Sequence, residues 1–359
     1  MKTNEIENIL EKLKKIAEVS HLNFLFGAGT SDPFIAPLPQ IEVKMDKADR
    51  GGKLKELLRL KKEFFNTVMK PCLSIRSYNK DNEIVIAKKL VETYRNYRCF
   101  LTETTGYVLA RKSSLLDKQV NLFTTNIDIF IEKTLEDMGA NYNDGFIGRI
   151  FPLFRTSHFQ TITKKKSEYL EQQSEIPTFN LYKLHGSLTW GKGVGNSEIE
   201  YSDLVNLKDM DKYDDREFIE SYDNLHIINP NQEKFATSVL RSTHYELLRL
   251  YATELEKENA LLIVAGFSFA DDHILQITTR AMDSNPTLSV CIICHSDSNG
   301  PSYRDKFRSI RYTNNLYILE PEKDQEFDLK WVTENIISKL DHNVVNKEQK
   351  EDDGAIAEP

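Results

Sequence analysis

Three short motifs hold the side chains of this chain with the widest chemical reach: Phe26-Gly-Ala-Gly-Thr-Ser31, Thr124-Thr-Asn-Ile-Asp128 and Lys183-Leu-His-Gly-Ser187. In the first, Gly27 and Gly29 lack a Cβ, so the backbone can approach a pyrophosphate and free N–H groups at a helix start can bind it. Position 32 is Asp, so the third glycine of a dinucleotide fingerprint is missing. A tight strand-to-helix turn accounts for the two glycines equally well. In the second motif, Asp128 reads most simply as the N-cap of the next helix, whereas a buried Asn126 amide would need hydrogen-bond partners. In the third, His185 is a candidate general base near neutral pH, or else a hydrogen-bonded turn residue. A fourth phrase, Gly266-Phe-Ser268, offers Gly266 and Ser268 to a ribose or phosphate, while Asp271 and Asp272 beyond it read as helix caps rather than catalytic groups.

Each motif is short enough to arise by chance, but each follows an apolar run of strand character. Leu22–Phe26, Asn121–Thr125, Leu181–Leu184, Leu261–Ala265, Ser289–Cys294 and Leu316–Leu319 are the predicted strands. Apolar residues at helical spacing predict helices over Met1–Val19, Lys53–Val68, about 84–98, about 129–138 and Leu240–Glu256. Strands alternating with helices imply an α/β fold with a parallel sheet, and the motifs then share the carboxyl edge where such sheets bind ligands. Between the elements, Ser31–Asp49 is expected to form a loop over the site. Residues 141–180 are mixed and polar, with Lys164-Lys165-Lys166 as a solvated loop, and 190–235 are expected to be an insertion or small subdomain. From Asn343 onward the chain is charged, lacks aromatics and reads as a disordered tail.

The bulk properties narrow the function classes. At 359 residues the length prior is about two domains, with ample chain for a large core. A formal charge of −8 argues against binding nucleic acid through bulk charge, and no direct sequence-specific nucleic-acid binding is expected. No apolar run is long enough for a membrane span, and the charged N-terminus is not a signal peptide, so a cytoplasmic protein is expected. The four cysteines are sparse, in keeping with a reducing compartment. Cys291 and Cys294 lie three apart in a predicted buried strand, hence on opposite faces, and are poorly placed to share a metal; no metal is expected.

Gly27-Ala28-Gly29-Thr30-Ser31, Thr125-Asn126-Ile127-Asp128, His185-Gly186 and Gly266-Phe267-Ser268 together resemble the four NAD-contact segments of the sirtuin family. The resemblance runs from about residue 20 to residue 320. It implies a Rossmann-like doubly wound parallel sheet with a smaller inserted helical or irregular module lacking the zinc ribbon, all within one NAD-binding unit over residues 1–342, with insertions at about 32–110, 141–180 and 190–235. By the same resemblance Gly27, Ala28 and Ser31 would hold the pyrophosphate, with Gly29 and Thr30 in the same segment. Asn126 and Asp128, with Thr125, would bind the nicotinamide ribose and carboxamide. His185 would be the base, and Gly266 and Ser268 would contact the adenosine half. Sirtuin deacylases follow the first motif with an Asp-Phe-Arg stretch and carry four zinc cysteines. Here Asp32-Pro-Phe-Ile-Ala-Pro37 follows instead and the cysteine set is missing, which counts against protein deacylation. The phrases Tyr182-Lys-Leu-His-Gly-Ser-Leu-Thr-Trp190 and Ala265-Gly-Phe-Ser-Phe-Ala-Asp-Asp-His-Ile274 are more similar to bacterial sirtuin-like proteins of antiphage defence, which hydrolyse NAD and starve the infected cell. That branch implies a stand-alone subunit, with NAD as substrate, switched on by homo-oligomerisation or by a partner such as a HerA-type hexameric ATPase. Acyl-lysine removal, ADP-ribosyl transfer and non-catalytic NAD or ADP-ribose sensing are the alternatives.

Overall fold

The computed structural model describes residues 3–38, 41–78, 87–111, 116–166, 173–192, 198–204, 207–225, 227 and 238–340. A central sheet of seven strands organises the molecule. In chain order these are β1 His21–Phe26, β2 Gln119–Thr124, β3 Asn141–Asn143, β4 Thr178–Lys183, β5 Ala260–Ala265, β6 Ser289–Ile293 and β7 Leu316–Leu319. All neighbouring pairs run parallel, in the spatial order β7-β6-β5-β1-β2-β4-β3. Leaving aside the short edge strand β3, this is the order of a dinucleotide-binding Rossmann sheet, with the chain reversing direction at β1. The fold is a Rossmann-like α/β sheet.

Strand identity follows from burial on both faces. In β5 every residue of Ala-Leu-Leu-Ile-Val-Ala is buried, as expected of a parallel strand covered by helices on both sides. Alternate residues feed two cores. Leu22, Phe24 and Phe26 of β1 join one with Tyr97, Phe100 and Leu135, and Leu25 joins the other with Phe123, Tyr251 and Ile274. Cys291 and Cys294 obey the same alternation, since both are buried, one in each core. The first face is covered by the helices Thr3–Glu18 and Lys88–Ala110 and by the last helical turns up to Leu340. The second is covered by Ser238–Glu256 and Asp272–Ser284.

A row of amides pins the register of the middle strands. Asn23, Asn121 and Asn180 stand opposite one another on β1, β2 and β4. Asn121 Nδ2 donates to Asn23 Oδ1 at 2.9 Å, and Asn180 Nδ2 donates to Asn121 Oδ1 at 3.0 Å. A slip of one residue would turn these amides into the opposite core.

Several elements depart from the sequence reading. The stretch 31–49 is not all loop, because Ile41–Arg50 is a helix whose Ile41, Met45 and Ala48 pack against Leu57 and Leu60 of the helix Leu54–Phe64. The smaller module is not wholly helical or irregular either. Phe146–Ile147, Leu153–Phe154, Trp190–Lys192 and Ile199–Tyr201 form a four-stranded antiparallel sheet, joining chain from two segments that read separately as polar. Lys164–Lys166 is a strand, not a loop: it pairs antiparallel with Gln173–Glu175, though the lysines are solvated as expected. The helix expected at about 84–98 runs over Lys88–Ala110; residues 84–86 and the expected disordered tail from Asn343 lie outside the described residues. Among the described residues, no helix is long and apolar enough to cross a membrane.

Candidate functional site

Parallel pairing carries the four motifs to one edge. Phe26 is in register with Thr124 on one side and Ala265 on the other, and Thr124 with Lys183. Gly27, Thr125, Leu184 and Gly266 therefore form the next row beyond the strands. Hydrogen bonds from Gly27 N to Ala265 O (3.2 Å), Thr125 N to Phe26 O (3.1 Å) and Leu184 N to Thr124 O (2.8 Å) extend the ladder into it.

The glycines are required where the β1 and β5 turns meet. A Cβ on Gly27 would come 2.6 Å from Gly266 O, and one on Gly29 would come 2.8 Å from Gly266 Cα. Gly266 itself has φ +63°, and a Cβ there would lie 2.5 Å from Thr30 N. The N–H groups of Gly27, Gly29 and Thr30 are engaged by the carbonyls of Ala265, Gly266 and Gly27, while Ala28 lies exposed at the tip of the turn. Gly266→Ala is expected to lower stability by roughly 2–4 kcal/mol, from left-handed backbone strain and overpacking together. Gly139, at φ +62° with open space around it, is the control: Gly139→Ala should cost only the conformational part, about 1–2 kcal/mol. Denaturant midpoints of the two variants check this, and equal losses would remove the close approach as the reason for Gly266.

Asn126 and Asp128 close a buried polar network on the first face. Asn126 Nδ2 donates to Gly27 O (3.0 Å), Ser31 Oγ (3.1 Å) and Thr30 Oγ1 (3.3 Å). Asp128 is not the expected N-cap: the helix Phe130–Met138 has Ile129 in that place. Asp128, one residue earlier, closes a local turn with Oδ1 accepting from Phe130 N at 3.1 Å, while its Oδ2 accepts from Ser31 Oγ at 2.7 Å. Tyr97, from the helix Lys88–Ala110, completes the set through hydroxyl contacts with Thr30 Oγ1 (2.8 Å) and Ser31 Oγ (3.1 Å). Burial, reinforced by the Asp128 charge, pushes the Tyr97 phenol well up, so it stays a neutral donor.

Beneath this turn lies a buried ion pair that sequence reasoning misses. Lys183, the last residue of β4 and 3% exposed, sends its ammonium to the Asp128 carbonyl and, at 3.0 Å, to Glu132 Oε1. Burial pushes the Glu132 carboxyl up, against the lowering pull of Lys183. The pair ties the turn after β2 to the end of β4, and Leu188 N to Ile127 O (3.2 Å) adds a second tie.

His185 stands two residues past β4, just as Asn126 stands two past β2, but it belongs to a different cluster. Its Nε2 lies 3.0 Å from Asp271 Oδ2, beside the second face. Asp271 does cap the helix Asp272–Ser284, its Oδ1 accepting from His273 N and Ile274 N; the capping role and the histidine contact coexist. Burial alone would raise the Asp271 carboxyl, but the hydrogen bond and charge of His185, with the two backbone N–H groups, bring it down to about 2. On the other side, His244 Nδ1 donates to the Leu184 carbonyl at 2.8 Å, and its ring lies 6.3 Å from that of His185. Gly266 thus meets the glycine turn, whereas Ser268 is exposed, with its carbonyl held by Lys306 Nζ at 2.7 Å. Thr125 is half-buried between the two clusters.

Burial, helped by His185, lowers His244 to about 4 despite its bond to Leu184. A folded value below the ordinary 6.5 means that folding favours the neutral ring. The stability this contributes is complete above about pH 6.5 and is lost as pH falls toward 4. Tm should therefore drop from about pH 7 to about pH 5 by more in the wild type than in His244→Asn; equal drops would show that His244 does not carry this dependence. Asp271 acts in a lower window, its contribution present above pH 3.8 and lost toward about 2.

A separate groove of about 770 Å³, lined by Val91, Arg95, Cys99 and Lys330 among others, holds none of these residues. Among the described residues, no group of three or more His, Cys, Asp or Glu side chains is arranged to hold a metal ion.

Residues 120–318 match the family described as SIR2-like domain. No curated protein matches the chain. The match takes in β2, β4 and β5 with their motifs; β1 and its glycine turn lie upstream of it but pair with both β2 and β5. With more than half of its length matched, the chain belongs to the SIR2-like domain family.

Proposed function

We propose that this protein hydrolyses NAD to nicotinamide and ADP-ribose, and that the resulting NAD depletion serves bacterial antiphage defence, switched on by self-association or by a partner such as a HerA-type hexameric ATPase. Family membership supports an NAD-related activity in general. The observation that carries the finer reading is the meeting of Asn126, Asp128 and Ser31 with the glycine turn at the sheet reversal, with His185 on the neighbouring turn.

In hydrolysis the bond between ribose C1′ and the nicotinamide nitrogen breaks. Its electron pair leaves with the ring, which becomes neutral and needs little acid assistance. Water forms the new C1′–O bond and gives up a proton, through a transition state with oxocarbenium character. A buried carboxylate at Asp128 suits a cationic pyridinium ring and the positive charge that develops on the ribose. Asn126 has its amide donors engaged within the protein, so its Oδ1 is the atom with which it would orient water or a ribose hydroxyl. His185 accepts the proton or activates the ribose hydroxyl. In this reading the turn Gly27–Ser31 lies against the pyrophosphate with Ala28 at its exposed tip, the engaged N–H groups of Gly27, Gly29 and Thr30 setting the turn's shape rather than binding the phosphates. Thr125 would meet the nicotinamide ribose, and Gly266 and Ser268 the adenosine half. No metal is called on.

Dependence on an acceptor tests this reading. Incubation with NAD should yield equal amounts of nicotinamide and free ADP-ribose without any peptide. Release only when an acylated peptide or acceptor protein is added would replace hydrolysis by deacylation or ADP-ribosyl transfer. Saturable NAD binding with no nicotinamide under any condition would make the protein a sensor.

A further inference from the structure

We propose that Asp271 is a positioning residue that fixes His185 as its Nε2–H tautomer and leaves Nδ1 as the proton-accepting atom. The inference rests on the reading of His185 as the base and goes beyond it in assigning the working nitrogen and the group that selects it.

The geometry is specific. Asp271 Oδ2 lies 3.0 Å from His185 Nε2, and both side chains are largely buried. The carboxylate cannot swing away cheaply, because Oδ1 accepts from His273 N at 2.8 Å and Ile274 N at 3.2 Å. These N–H groups open a helix of 13 residues, and its dipole favours an ionised carboxyl at that end. An ionised carboxylate is an acceptor only, so the proton between the two groups sits on His185 Nε2 and the lone pair sits on Nδ1. On the other flank, His244 Nδ1 donates to the carbonyl of Leu184, the residue before His185, and anchors the turn from which the ring projects. The ring is thus held by Asp271, and the backbone that carries it by His244.

The placement also suits the reaction. β4 and β5 are separated in the sheet by β2 and β1, three strand spacings or roughly 14 Å. The turns that follow them nonetheless meet through His185 and Asp271, and the two strands that stand between them are β1 and β2. Those strands carry the glycine turn and Asn126. A carboxylate on one imidazole nitrogen, setting the tautomer so that the other can accept a proton, is a general device of acid–base sites. A helix cap alone needs only the Oδ1 contacts, and a Ser or Asn at position 271 would supply those equally well. The histidine contact is what needs Asp.

Two variants separate capping from positioning. Asp271→Asn and Asp271→Ser both keep a capping oxygen. The asparagine can donate to Nε2 and so favour the opposite tautomer; the serine leaves Nε2 free. Each should lower kcat for nicotinamide release by roughly 10²–10⁴-fold, with KM within a few-fold and with unfolding midpoints close to wild type. Nitrogen-15 NMR of histidine-labelled protein should report the Nε2–H tautomer for His185 in the wild type and its loss in Asp271→Asn. Full kcat in both variants, when His185→Ala has lost activity, would overturn the positioning role while leaving the hydrolase reading intact. An Nδ1–H tautomer in the wild type would overturn it on its own. If the wild type releases no nicotinamide either alone or with a HerA-type ATPase, the hydrolase reading fails and the NMR arm still decides the tautomer assignment.

Discussion

Replacing His185 with alanine is expected to lower nicotinamide release from NAD by roughly 10²–10⁴-fold, the range for loss of a positioned general base. NAD binding should change little, because the groups assigned to the pyrophosphate and ribose lie on the turns after β1 and β2 and form no hydrogen bond with the imidazole among those observed at the site. The fold should also survive. The His185 side chain keeps 15% of its surface exposed, and its one hydrogen-bonded carboxylate keeps two backbone N–H partners when the ring is gone. Loss of kcat with NAD affinity retained, measured by product chromatography and calorimetric titration on the same preparation, is the expected pattern. Full turnover in His185→Ala would remove the base from the mechanism and leave Asn126 and Asp128 to act by orientation and electrostatics alone.

Lys183→Met is expected to lower stability by about 3–5 kcal/mol, because it strands a buried charge. Lys183 is 3% exposed and the Glu132 side chain 13%. Glu132 Oε2 has no hydrogen-bond partner among the described residues, so without the ammonium its carboxylate keeps only a long contact from Ser187 Oγ to Oε1, at 3.5 Å, and no opposing charge in contact. Protonation of Glu132, which burial already favours, relieves part of the penalty. Lys183→Met combined with Glu132→Leu should recover much of it, since a buried pair replaced by apolar groups is often neutral. The single variant also removes the donor to the Asp128 carbonyl, so NAD binding should weaken in parallel. Urea unfolding of the single and double variants decides the matter: a single-variant loss below about 1 kcal/mol, or a double variant no better than the single, would contradict the pair's place in holding the turn.

Much of this arrangement is legible in the sequence because the central strands are buried on both faces. A continuous apolar run such as Ala260–Ala265 announces itself, and the run Leu316–Leu319 coincides with β7 to the residue. Once the strands are parallel, the residues that follow them share an edge, which is why Gly27, Asn126, His185 and Gly266 group together on sequence grounds alone. Strand alternation likewise separates Cys291 from Cys294, as the two cores bear out. The four-stranded antiparallel sheet is not legible, since Phe146–Ile147 and Leu153–Phe154 are two residues each, too short to show a period. Tyr97 is hidden for another reason: on the helix Lys88–Ala110 its spacing is that of a core aromatic, and the hydroxyl's target 66 residues away in sequence leaves no local trace. The pairing of His185 with Asp271, 86 residues apart, is masked by a sound local reading, since Asp271 does cap its helix. Lys183 stands inside a motif whose histidine draws the eye, and only the contact with Glu132 reveals what it holds.

The central claim is that this chain breaks the bond between nicotinamide and ribose in NAD with water as acceptor, using the turn that presents Asn126. The most direct test is a time course of nicotinamide and ADP-ribose from NAD, with wild type and Asn126→Ala compared, each alone and with a HerA-type ATPase. Equimolar products are expected from the wild type in at least one of these conditions, and roughly 10²-fold less or none from Asn126→Ala. Equal release by the two proteins, or no release by the wild type while NAD still binds, would contradict the claim.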